Sequence, residues 1–410
     1  MKHILFVTMQ YGEGYNQGTE KYIKNLCDEL SKSDYKISIL STDPKNIQGK
    51  ISNKLKDKGW TQVTSDIDPH LTSYIGKNNI DLIHLVHPGH IGLGVVEYAK
   101  KINIPIVITV TDYWWVCPKN TLITPSGSFC EGNKDVQTCI KCIASSSGNE
   151  TFNKLSTLPL VNKLLSLALS IKLQRNGQYK YWKNRPKITQ STLSAADAVI
   201  TLSDTSLRLF RDKLKLKNLA YIPTGLNPMW LEKKQVSAVK KGVRKVGFLG
   251  AIERHKGLHI LLKAISKLHG IELYIAGPYS DKVYKKELDS YIKKENLFVT
   301  WLGKLTESQA IKFIDSINLL TVPSISPENQ PQVILEALSR NTPVVCSDVS
   351  GAAELVHRKY TYSMHNSFEL ADLLIKTLES NEPYEKVCQL FSTHDQAEKV
   401  IHIYNKVLQK

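Results

Sequence analysis

Short apolar runs alternate with segments of helical periodicity along this chain, and the alternation occurs in two successive series. Such alternation is typical of parallel sheets, in which a helix connects each strand to the next. It therefore predicts an α/β fold with two doubly wound units, one after the other. The predicted strands are Ile4–Val7, Ile37–Leu40, Leu82–Val86, Ile106–Val110, Ala198–Leu202, Val246–Gly250, Leu273–Ala276, Val299–Leu302, Leu319–Val322 and Pro343–Cys346.

The domain organisation follows the two series. With 410 residues the chain exceeds the roughly 250–300 that one hydrophobic core usually holds. A polar, Lys-rich stretch from Leu231 to Arg244 is the predicted connection. The predicted parts are a first domain at 1–230 with a Cys-rich insertion at 117–142 and a basic helical insertion at 151–185, a second domain at 243–392, and a C-terminal helix at 395–410.

Composition and charge narrow the function classes. Hydrophobic content of 42% and charged content of 22% are typical of a globular protein, and no apolar run approaches the roughly 18–20 residues of a membrane span. The first residues are typical of a β-strand rather than a secretory signal, which predicts a cytoplasmic protein with reduced thiols. A net charge of +16 indicates a phosphorylated ligand or an acidic membrane as partner, or simply a soluble Lys-rich surface. The scattered basic residues lack interleaved aromatics, which argues against nucleic acid.

Each series opens with a strand, a glycine-bearing loop and a helix. The loops run from Val7 to Thr19 and from Gly250 to Gly257. Because ligands of open α/β sheets bind beyond the carboxyl ends of the strands, both loops are candidate ligand sites. Neither loop has the glycine pattern of a dinucleotide site or of a phosphate loop, which argues against a nicotinamide or ATP enzyme.

Glu328 and Glu336 flank the start of a predicted helix from Pro331 to Arg340. Glu328 is expected in the preceding loop and Glu336 about two turns inside the helix, which separates the carboxylates by roughly 12 Å. That distance exceeds the roughly 5–10 Å of a glycosidase pair. It suits the two ends of a nucleotide-sugar, with its diphosphate at the positive end of the helix. Two solvated glutamates are the simpler alternative.

Several segments together resemble the retaining glycosyltransferases of the GT-B fold, family 4 (glycosyl transferases group 1), whose hallmark is E-x7-E. The resemblance implies two Rossmann-like domains that face a central cleft, with the acceptor on the first domain and the donor on the second. It also implies that the C-terminal helix returns to the first domain. The segments that carry it are Gly18-Thr19-Glu20-Lys21-Tyr22, Asp112-Tyr113-Trp114-Trp115-Val116-Cys117-Pro118, Ile222-Pro223-Thr224-Gly225-Leu226-Asn227, Lys256-Gly257, Pro323-Ser324, Glu328-Asn329, Pro331, Val333-Ile334, Glu336-Ala337, Pro343-Val344-Val345, Gly351 and Glu354-Leu355-Val356.

The family resemblance implies a hexosyltransferase-type enzyme that moves a sugar from a nucleotide-sugar donor to a hydroxyl acceptor with retention, in polysaccharide or glycolipid assembly. No cofactor is expected for catalysis. Same-face attack and double displacement are both compatible with the residues. Two other functions stay open: a nucleotide-sugar epimerase or hydrolase on the same fold, and a non-catalytic basic binding protein.

The resemblance also implies roles for residues of the second domain. Glu328 would contact the donor sugar as a catalytic residue, and Glu336 would hold the nucleotide ribose. Lys256 would carry the charge of the leaving diphosphate. Arg254 would assist it, or is a surface arginine, because the family's usual arginine position holds Ala251. The remaining predicted donor contacts are the backbone N–H groups of Gln332 and Val333, together with Gly18 and Gly277.

On the first domain, Asp112 is the second predicted catalytic residue. It would orient the acceptor hydroxyl or cap the turn that follows its strand. The family often has a histidine directly before this aspartate, where the chain has Thr111. His87 and His90 are predicted on the acceptor side. His84 and His87 point to opposite faces of an extended strand, which argues against a shared metal.

Cys117, Cys130, Cys139 and Cys142 form the pattern C-x12-C-x8-C-x2-C in a loop with little apolar content. The spacing suits a structural zinc ion, and free thiols or disulfides are the alternatives. The segment from Leu158 to Arg175 is a Leu-rich basic helix. It could lie peripherally on the inner, anionic face of a membrane, which would imply a lipid-linked acceptor. It could instead pack against its own domain or a second subunit.

Overall fold

The computed structural model describes residues 1–12, 18–41, 67–89, 91–132, 134–144, 158–175, 179–232 and 244–409, and of Tyr181 and Ser350 it describes the backbone only. The chain divides into two compact units. The first is formed by Met1–Thr224 together with Thr393–Lys410, and the second by Gly225–Ser392. This boundary lies a few residues before position 230, where the sequence places the end of the first domain.

Each unit is built on a parallel sheet, and the two sheets hold the strands in the orders β2-β1-β3-β4-β5-β6 and β12-β11-β10-β7-β8-β9 within the described residues. The α/β fold class with two doubly wound units is therefore confirmed. The strands are β1 (Lys2–Thr8), β2 (Tyr35–Ser41), β3 (Leu82–His87), β4 (Ile106–Val110), β5 (Ala198–Thr201), β6 (Leu219–Tyr221), β7 (Arg244–Leu249), β8 (Ile271–Ala276), β9 (Val299–Gly303), β10 (Leu319–Val322), β11 (Val344–Ser347) and β12 (Thr361–Tyr362).

Helices connect successive strands in both units, and none of the described helices is long and apolar enough to span a membrane. The helices are α1 (Gly18–Leu30), α2 (Pro69–Lys77), α3 (Gly94–Lys101), α4 (Val136–Ala144), α5 (Pro159–Arg175), α6 (Tyr179–Ala195), α7 (Asp204–Leu214), α8 (Pro228–Leu231), α9 (Leu258–Ile265), α10 (Lys282–Lys294), α11 (Glu307–Ser316), α12 (Gln332–Ser339), α13 (Ser350–Ala353), α14 (Ser367–Glu379) and α15 (Thr393–Leu408).

The C-terminal helix α15 belongs to the first unit. Its Val400 and Tyr404 are buried in the same core as Phe6 of β1 and Leu26 of α1. The Tyr404 hydroxyl is 2.5 Å from Nδ1 of His84, whose Nε2 is 2.7 Å from the Thr109 hydroxyl. Burial lowers the pKa of His84 to about 3, so this imidazole is neutral in the folded protein. His84 is thus a hydrogen-bonded core residue that ties the last helix to the sheet.

The core of the second unit lies on both faces of its sheet, which explains why its strands read as nearly continuous apolar runs. Gly247 in the middle of β7 shows how closely a helix packs there, since a Cβ at this position would lie 2.4 Å from Cδ1 of Ile317. A buried ion pair stabilises the packing beyond the end of α12. Arg340 donates to both carboxylate oxygens of Asp315, at 2.9 and 2.6 Å.

Candidate functional site

The candidate donor site lies in the second unit, beyond the carboxyl ends of the adjacent parallel strands β7 and β10. The loop after β7 contains a 3-10 turn, Arg254–Lys256, and ends at Gly257 with a φ of 72°. The second loop of the site follows β10. The N–H of Ile325 in that loop donates to the His255 carbonyl at 2.8 Å. A Cβ on Gly257 would lie 1.8 Å from the Pro323 carbonyl oxygen, so the close approach of the two loops requires glycine.

Glu328 is held at this junction by two hydrogen bonds. The Lys256 ammonium and the Ser324 hydroxyl each donate to Glu328 Oε1 at 2.6 Å. Burial alone would raise the pKa of Glu328, but the Lys256 charge and these two bonds lower it below its usual value. The carboxyl group is therefore ionised at neutral pH. The structure brings together the two residues that the sequence analysis placed at the donor sugar and at the leaving diphosphate.

The loop that carries Glu328 is anchored from neighbouring strands and helices. The Ser347 hydroxyl at the end of β11 donates to the Ser324 carbonyl at 2.5 Å, and the Gly351 N–H in α13 donates to the Glu328 carbonyl at 3.1 Å. A Cβ on Gly351 would lie 1.8 Å from the Asn329 carbonyl oxygen. The position of the carboxylate thus depends on close backbone packing on both sides of the loop.

Glu336 is only 3% exposed and lies inside α12. The helix begins at Gln332, with Pro331 as the residue before it, so Glu336 is its fifth residue. This places Glu336 little more than one turn from the helix start, which corrects the expected two turns. Gln332 and Val333 form the first turn and are half-buried, at the end of the helix where backbone N–H groups point outward.

Arg254 points to α10, a helix that the sequence analysis did not predict. Its Nη2 lies 2.5 Å from Glu287 Oε2, and its guanidinium stacks over the Tyr284 ring at 4.8 Å from the centroid. Asp281 lies at 3.9 Å from Nε of the same arginine. The two predicted diphosphate-binding cations therefore have different acidic partners, Glu287 for Arg254 and Glu328 for Lys256.

Gly277 follows β8 and has a structural reason to be glycine. Its φ is 146°, and its N–H donates to the Gly303 carbonyl at 2.7 Å. A Cβ there would lie 1.8 Å from the Gly250 carbonyl oxygen at the end of β7. Gly277 lets the chain after β8 approach the loop that leads to Lys256.

In the first unit, Asp112 follows β4 and forms a hydrogen-bonded cluster with His87 at the end of β3. Asp112 accepts the Trp114 N–H at 3.0 Å and the Asn120 amide at 2.9 Å, and its Oδ2 lies 3.1 Å from His87 Nε2. The Gly89 N–H donates to His87 Nδ1 at 3.0 Å, so the proton of a neutral imidazole is on Nε2 and points at Asp112.

The cluster keeps Asp112 ionised. Burial would raise the pKa of Asp112, but His87, the Trp114 N–H and the Asn120 amide lower it overall. The bond to Trp114, two residues further on, is the turn cap that the sequence offered as one alternative. The side chain is still 25% exposed, which leaves one edge of the carboxylate accessible. His90 lies outside the described residues.

Thr19 and Thr111 are in contact, with their hydroxyl oxygens 3.0 Å apart. These are two of the positions at which the first unit departs from the resembled motifs, where a glycine and a histidine are usual. Apart from its chain neighbours and its own helix backbone, Gly18, the first residue of α1, has no heavy atom of the described residues within 4 Å of the position that a Cβ would take. The N-terminus of α1 and the end of β4 thus lie side by side.

Sequence reasoning missed several of these contacts. Ser324 is part of the resembled Pro-Ser pair, but nothing in the sequence indicates that its hydroxyl holds Glu328. The same is true of Asn120 beside Asp112, since eight positions of irregular loop separate the two residues. Only the resemblance of the surrounding motifs could have directed attention to these positions.

The four cysteines of the C-x12-C-x8-C-x2-C pattern line one cavity of about 380 Å³ in the first unit. All seven cysteines of the chain lie within the described residues, and none of them forms a disulfide. In the part of the chain that the structure describes, no three His, Cys, Asp or Glu side chains are already arranged to hold a metal ion.

Helix α5 exposes three of its six leucines, whereas Leu173 packs in a core cluster with Ile140 of α4 and Trp182 of α6. Leu160, Leu164 and Leu167 are 77%, 68% and 57% exposed, whereas Ser166 and Ser170 are only 5% and 9% exposed. The exposed leucines recur at helical spacing and form a continuous apolar stripe. An apolar stripe of this kind on the outer face of a helix indicates a binding surface.

Comparisons with known proteins concern the sequence of the second unit and the fold. Residues 231–389 match the family model described as "Glycosyl transferases group 1". The chain is 28% identical over 158 residues to an uncharacterized glycosyltransferase of Methanocaldococcus jannaschii, a match that covers 35% of this chain and 39% of the relative. It is 26% identical over 170 residues to TuaC of Bacillus subtilis, a putative teichuronic acid biosynthesis glycosyltransferase, covering 39% and 41% of the two chains. The chain thus spans about two fifths of the length of these relatives.

The solved structure of HepE from Anabaena in complex with UDP-glucose has the same fold. It superposes with a TM-score of 0.65 at 16% identity and covers 100% of this chain and 99% of the other. At this identity the likeness concerns the fold alone, and it identifies the two parallel-sheet units as those of the GT-B fold.

Proposed function

We propose that the protein is a retaining, hexosyltransferase-type glycosyltransferase of family 4 that moves a sugar from a nucleotide-sugar donor to a hydroxyl acceptor. The observation that carries the proposal is the ion pair of Lys256 with Glu328, at the carboxyl ends of adjacent strands in the unit that matches a glycosyltransferase domain. Such strand ends are where open α/β sheets bind ligands.

In this proposal the donor diphosphate replaces Glu328 as the partner of Lys256. The ammonium group then stabilises the negative charge that grows on the diphosphate as the glycosidic bond breaks. Glu328 is released from the ion pair but keeps its bond from Ser324, and as an anion it can accept hydrogen bonds from the sugar hydroxyls. No metal ion or other cofactor is needed for these steps.

The remaining donor contacts follow along α12. The N–H groups of Gln332 and Val333 would receive the diphosphate at the helix start, and the Glu336 carboxylate would accept the ribose hydroxyls. Gly18 would provide space for the close approach of the donor, Gly277 would serve the donor by letting the chain after β8 approach the loop that leads to Lys256, and Arg254 would add positive charge. UDP-hexoses are the first donors to test, because HepE binds UDP-glucose.

Asp112 is the proposed acceptor-orienting residue. Three hydrogen-bonding partners hold its carboxylate, and the exposed edge can accept one more bond, from the acceptor hydroxyl. His87 would position Asp112 by donating from Nε2, and His90 is a further proposed acceptor contact. The cluster thus has the anionic character needed to align a hydroxyl for attack.

The acceptor is proposed to be lipid-linked, with the enzyme docked on the cytoplasmic, anionic face of a membrane through the exposed stripe of α5. At 3.6 residues per turn, Lys163 and Arg175 lie on opposite flanks of the leucine stripe. An apolar stripe between basic flanks is the arrangement of helices that lie in an anionic membrane interface. Such an acceptor is consistent with polysaccharide or glycolipid assembly. Nucleic acid is not a proposed partner.

A donor screen tests the function. A bound ligand raises thermal stability by mass action, by about 2.7 kcal/mol at a hundred times its Kd. We expect one nucleotide and its sugars among UDP, GDP, ADP and CMP to raise the melting temperature. The labelled sugar of that donor should then be transferred to a lipid-linked or carbohydrate acceptor. An isomerised or free sugar in the absence of acceptor would indicate an epimerase or hydrolase, and no binding of any donor would indicate a non-catalytic binding protein.

Vesicle flotation tests the docking separately. The full chain should float with phosphatidylglycerol vesicles at low salt and remain unbound with phosphatidylcholine vesicles. Leu164→Gln combined with Leu167→Gln should abolish flotation. The matched control is Phe298→Gln, which changes an apolar side chain of 78% exposure in the second unit. Failure of the wild-type protein to float on anionic vesicles would remove the membrane proposal and leave the donor proposal intact.

A further inference from the structure

Three separate segments bring four cysteines to one cavity in the first unit. Cys117 follows the turn after β4, with its N–H bonded to the Tyr113 carbonyl at 2.9 Å. Cys130 follows a short hairpin, and its N–H donates to the Leu122 carbonyl at 2.7 Å. Cys139 and Cys142 lie on α4. All four line the same cavity of about 380 Å³.

The local structure brings the four cysteines to the cavity, where the Cys139 and Cys142 thiols donate to the Lys134 and Ile123 carbonyls. Cys139 and Cys142 are three positions apart on a helix and therefore share one face. The segment of Cys130 is held against that of Cys117 by Gly132, whose φ is 74°. A Cβ on Gly132 would lie 2.9 Å from the Val116 carbonyl oxygen, so this contact requires glycine.

A buried positive charge adjoins the cluster. Arg185 of α6 is 4% exposed, donates to the Trp114 and Trp115 carbonyls, and stacks over the Trp114 ring at 4.7 Å. The Trp115 carbonyl that it binds lies two residues before Cys117 in the chain. Four thiolates around a divalent ion carry a net charge of −2, which would stabilise the guanidinium in this dry surrounding.

We propose that Cys117, Cys130, Cys139 and Cys142 bind one structural zinc ion. Thiolate ligands select zinc, and four protein ligands complete its tetrahedral shell, so the ion has no open position for substrate. Since no three of these side chains are in ligand geometry in the structure, binding would draw the hairpin and α4 together until each sulfur is about 2.3 Å from the ion.

The proposed ion would stabilise the surroundings of Asp112. Asn120, which donates to Asp112, is bonded through its N–H to the Cys117 carbonyl at 2.9 Å. Trp114, whose N–H also donates to Asp112, packs against Arg185. The zinc site is therefore a structural support next to the predicted acceptor residue, and its existence does not depend on the proposed sugar transfer.

The test is the metal content of the full chain, purified under reducing conditions without chelators. We expect one zinc ion per chain by elemental mass spectrometry, released when a mercurial reagent blocks the thiols. The metal-free protein should bind Co²⁺ with the thiolate charge-transfer and intense visible bands of a tetrahedral sulfur site. Cys139→Ser and Cys142→Ser should each lose most of the bound metal.

Cys388→Ser is the matched control, because Cys388 is a half-buried thiol of the second unit. It should keep the full metal content. The proposal would be overturned if the reduced wild-type protein held no zinc and gave no cobalt thiolate spectrum. It would also be overturned by disulfides among the four cysteines, or if Cys388→Ser lost as much metal as Cys139→Ser and Cys142→Ser. Because the cobalt spectrum is recorded on the wild-type chain, the proposal stays testable even if the serine variants do not fold.

Discussion

The loop clusters beyond the sheets of the two units are built differently. In the second unit Glu328 is held by an ion pair and by glycines that admit backbone contacts, and the sequence there matches a known family model. In the first unit Asp112 is held by neutral hydrogen-bond donors and a histidine. The threonine pair nearby departs from the resembled motifs, and the cysteine-lined cavity is an addition to them. The proposed donor site thus lies in the part of the chain that matches a family model, whereas the proposed acceptor site lies outside that match and departs from the resembled motifs.

Loss of the Glu328 charge should have the largest effect. In Glu328→Gln the Ser324 bond can be kept while the anion is lost, so we expect kcat to fall about 100- to 1000-fold, as when one transition-state-stabilising group is removed. The melting temperature should fall as well, because Lys256 loses its ion-pair partner, so kcat is measured well below that temperature. Steady-state kinetics with the donor identified by the thermal screen would measure this.

Glu379→Gln is the control for that prediction. Glu379 also accepts from an arginine of the second unit, Arg244 at 2.6 Å, but on the exposed surface. The Glu379→Gln variant should have the activity of the wild-type protein. Full activity in Glu328→Gln, or an equal loss in both variants, would end the assignment of Glu328.

Asp112→Asn tests the acceptor side of the comparison. Hydrogen bonds to charged groups contribute about 1.5–3 kcal/mol, so kcat/KM for the acceptor should fall about 10- to 100-fold while the KM for the donor stays unchanged. Asp197→Asn is the control, since Asp197 of the same unit accepts from Lys100 and from the Ile106 N–H. A lowered melting temperature with unchanged kinetics would make Asp112 a turn cap only.

The sequence predicted the sheet better than the contacts at its edge. Ten strands were found because parallel strands buried on both faces read as apolar runs, whereas β6 and β12, with three and two residues, are too short for such a signal. Helix α10 was missed because Tyr284 and Leu288 are its only buried residues among many lysines.

For the candidate site, the order of the motifs indicated that Glu328 and Lys256 lie in one site. The pairing of Arg254 with Glu287 and the outward leucines of α5 depend on tertiary packing, which a single sequence does not reveal.

His84 predicts an acid sensitivity of the first unit. Its folded pKa of about 3 is below the usual 6.5, so the unfolded chain binds more protons between these values and stability falls as the pH drops below about 6.5. At pH 5 the loss is about 2 kcal/mol. Urea unfolding at pH 7 and pH 5 should show a smaller pH-dependent loss in His84→Gln than in the wild type. His402→Gln, an exposed histidine on α15, should behave like the wild type; equal pH dependence in all three proteins would contradict the buried, neutral His84.

The smallest expected effect concerns the threonine pair. If the hydroxyls of Thr19 and Thr111 form a bond in solution, Thr19→Val and Thr111→Val should be non-additive in a double-mutant cycle, with a coupling of about 0.5–1.5 kcal/mol in unfolding free energy. The variants Thr19→Gly and Thr111→His restore the resembled motif at each position. Each single variant leaves one threonine hydroxyl without its partner. We therefore expect Thr19→Gly alone and Thr111→His alone to reduce kcat/KM for the acceptor more than the double variant does. Strict additivity in both experiments would show that these two departures from the resembled motifs are independent of each other and do not act through one contact.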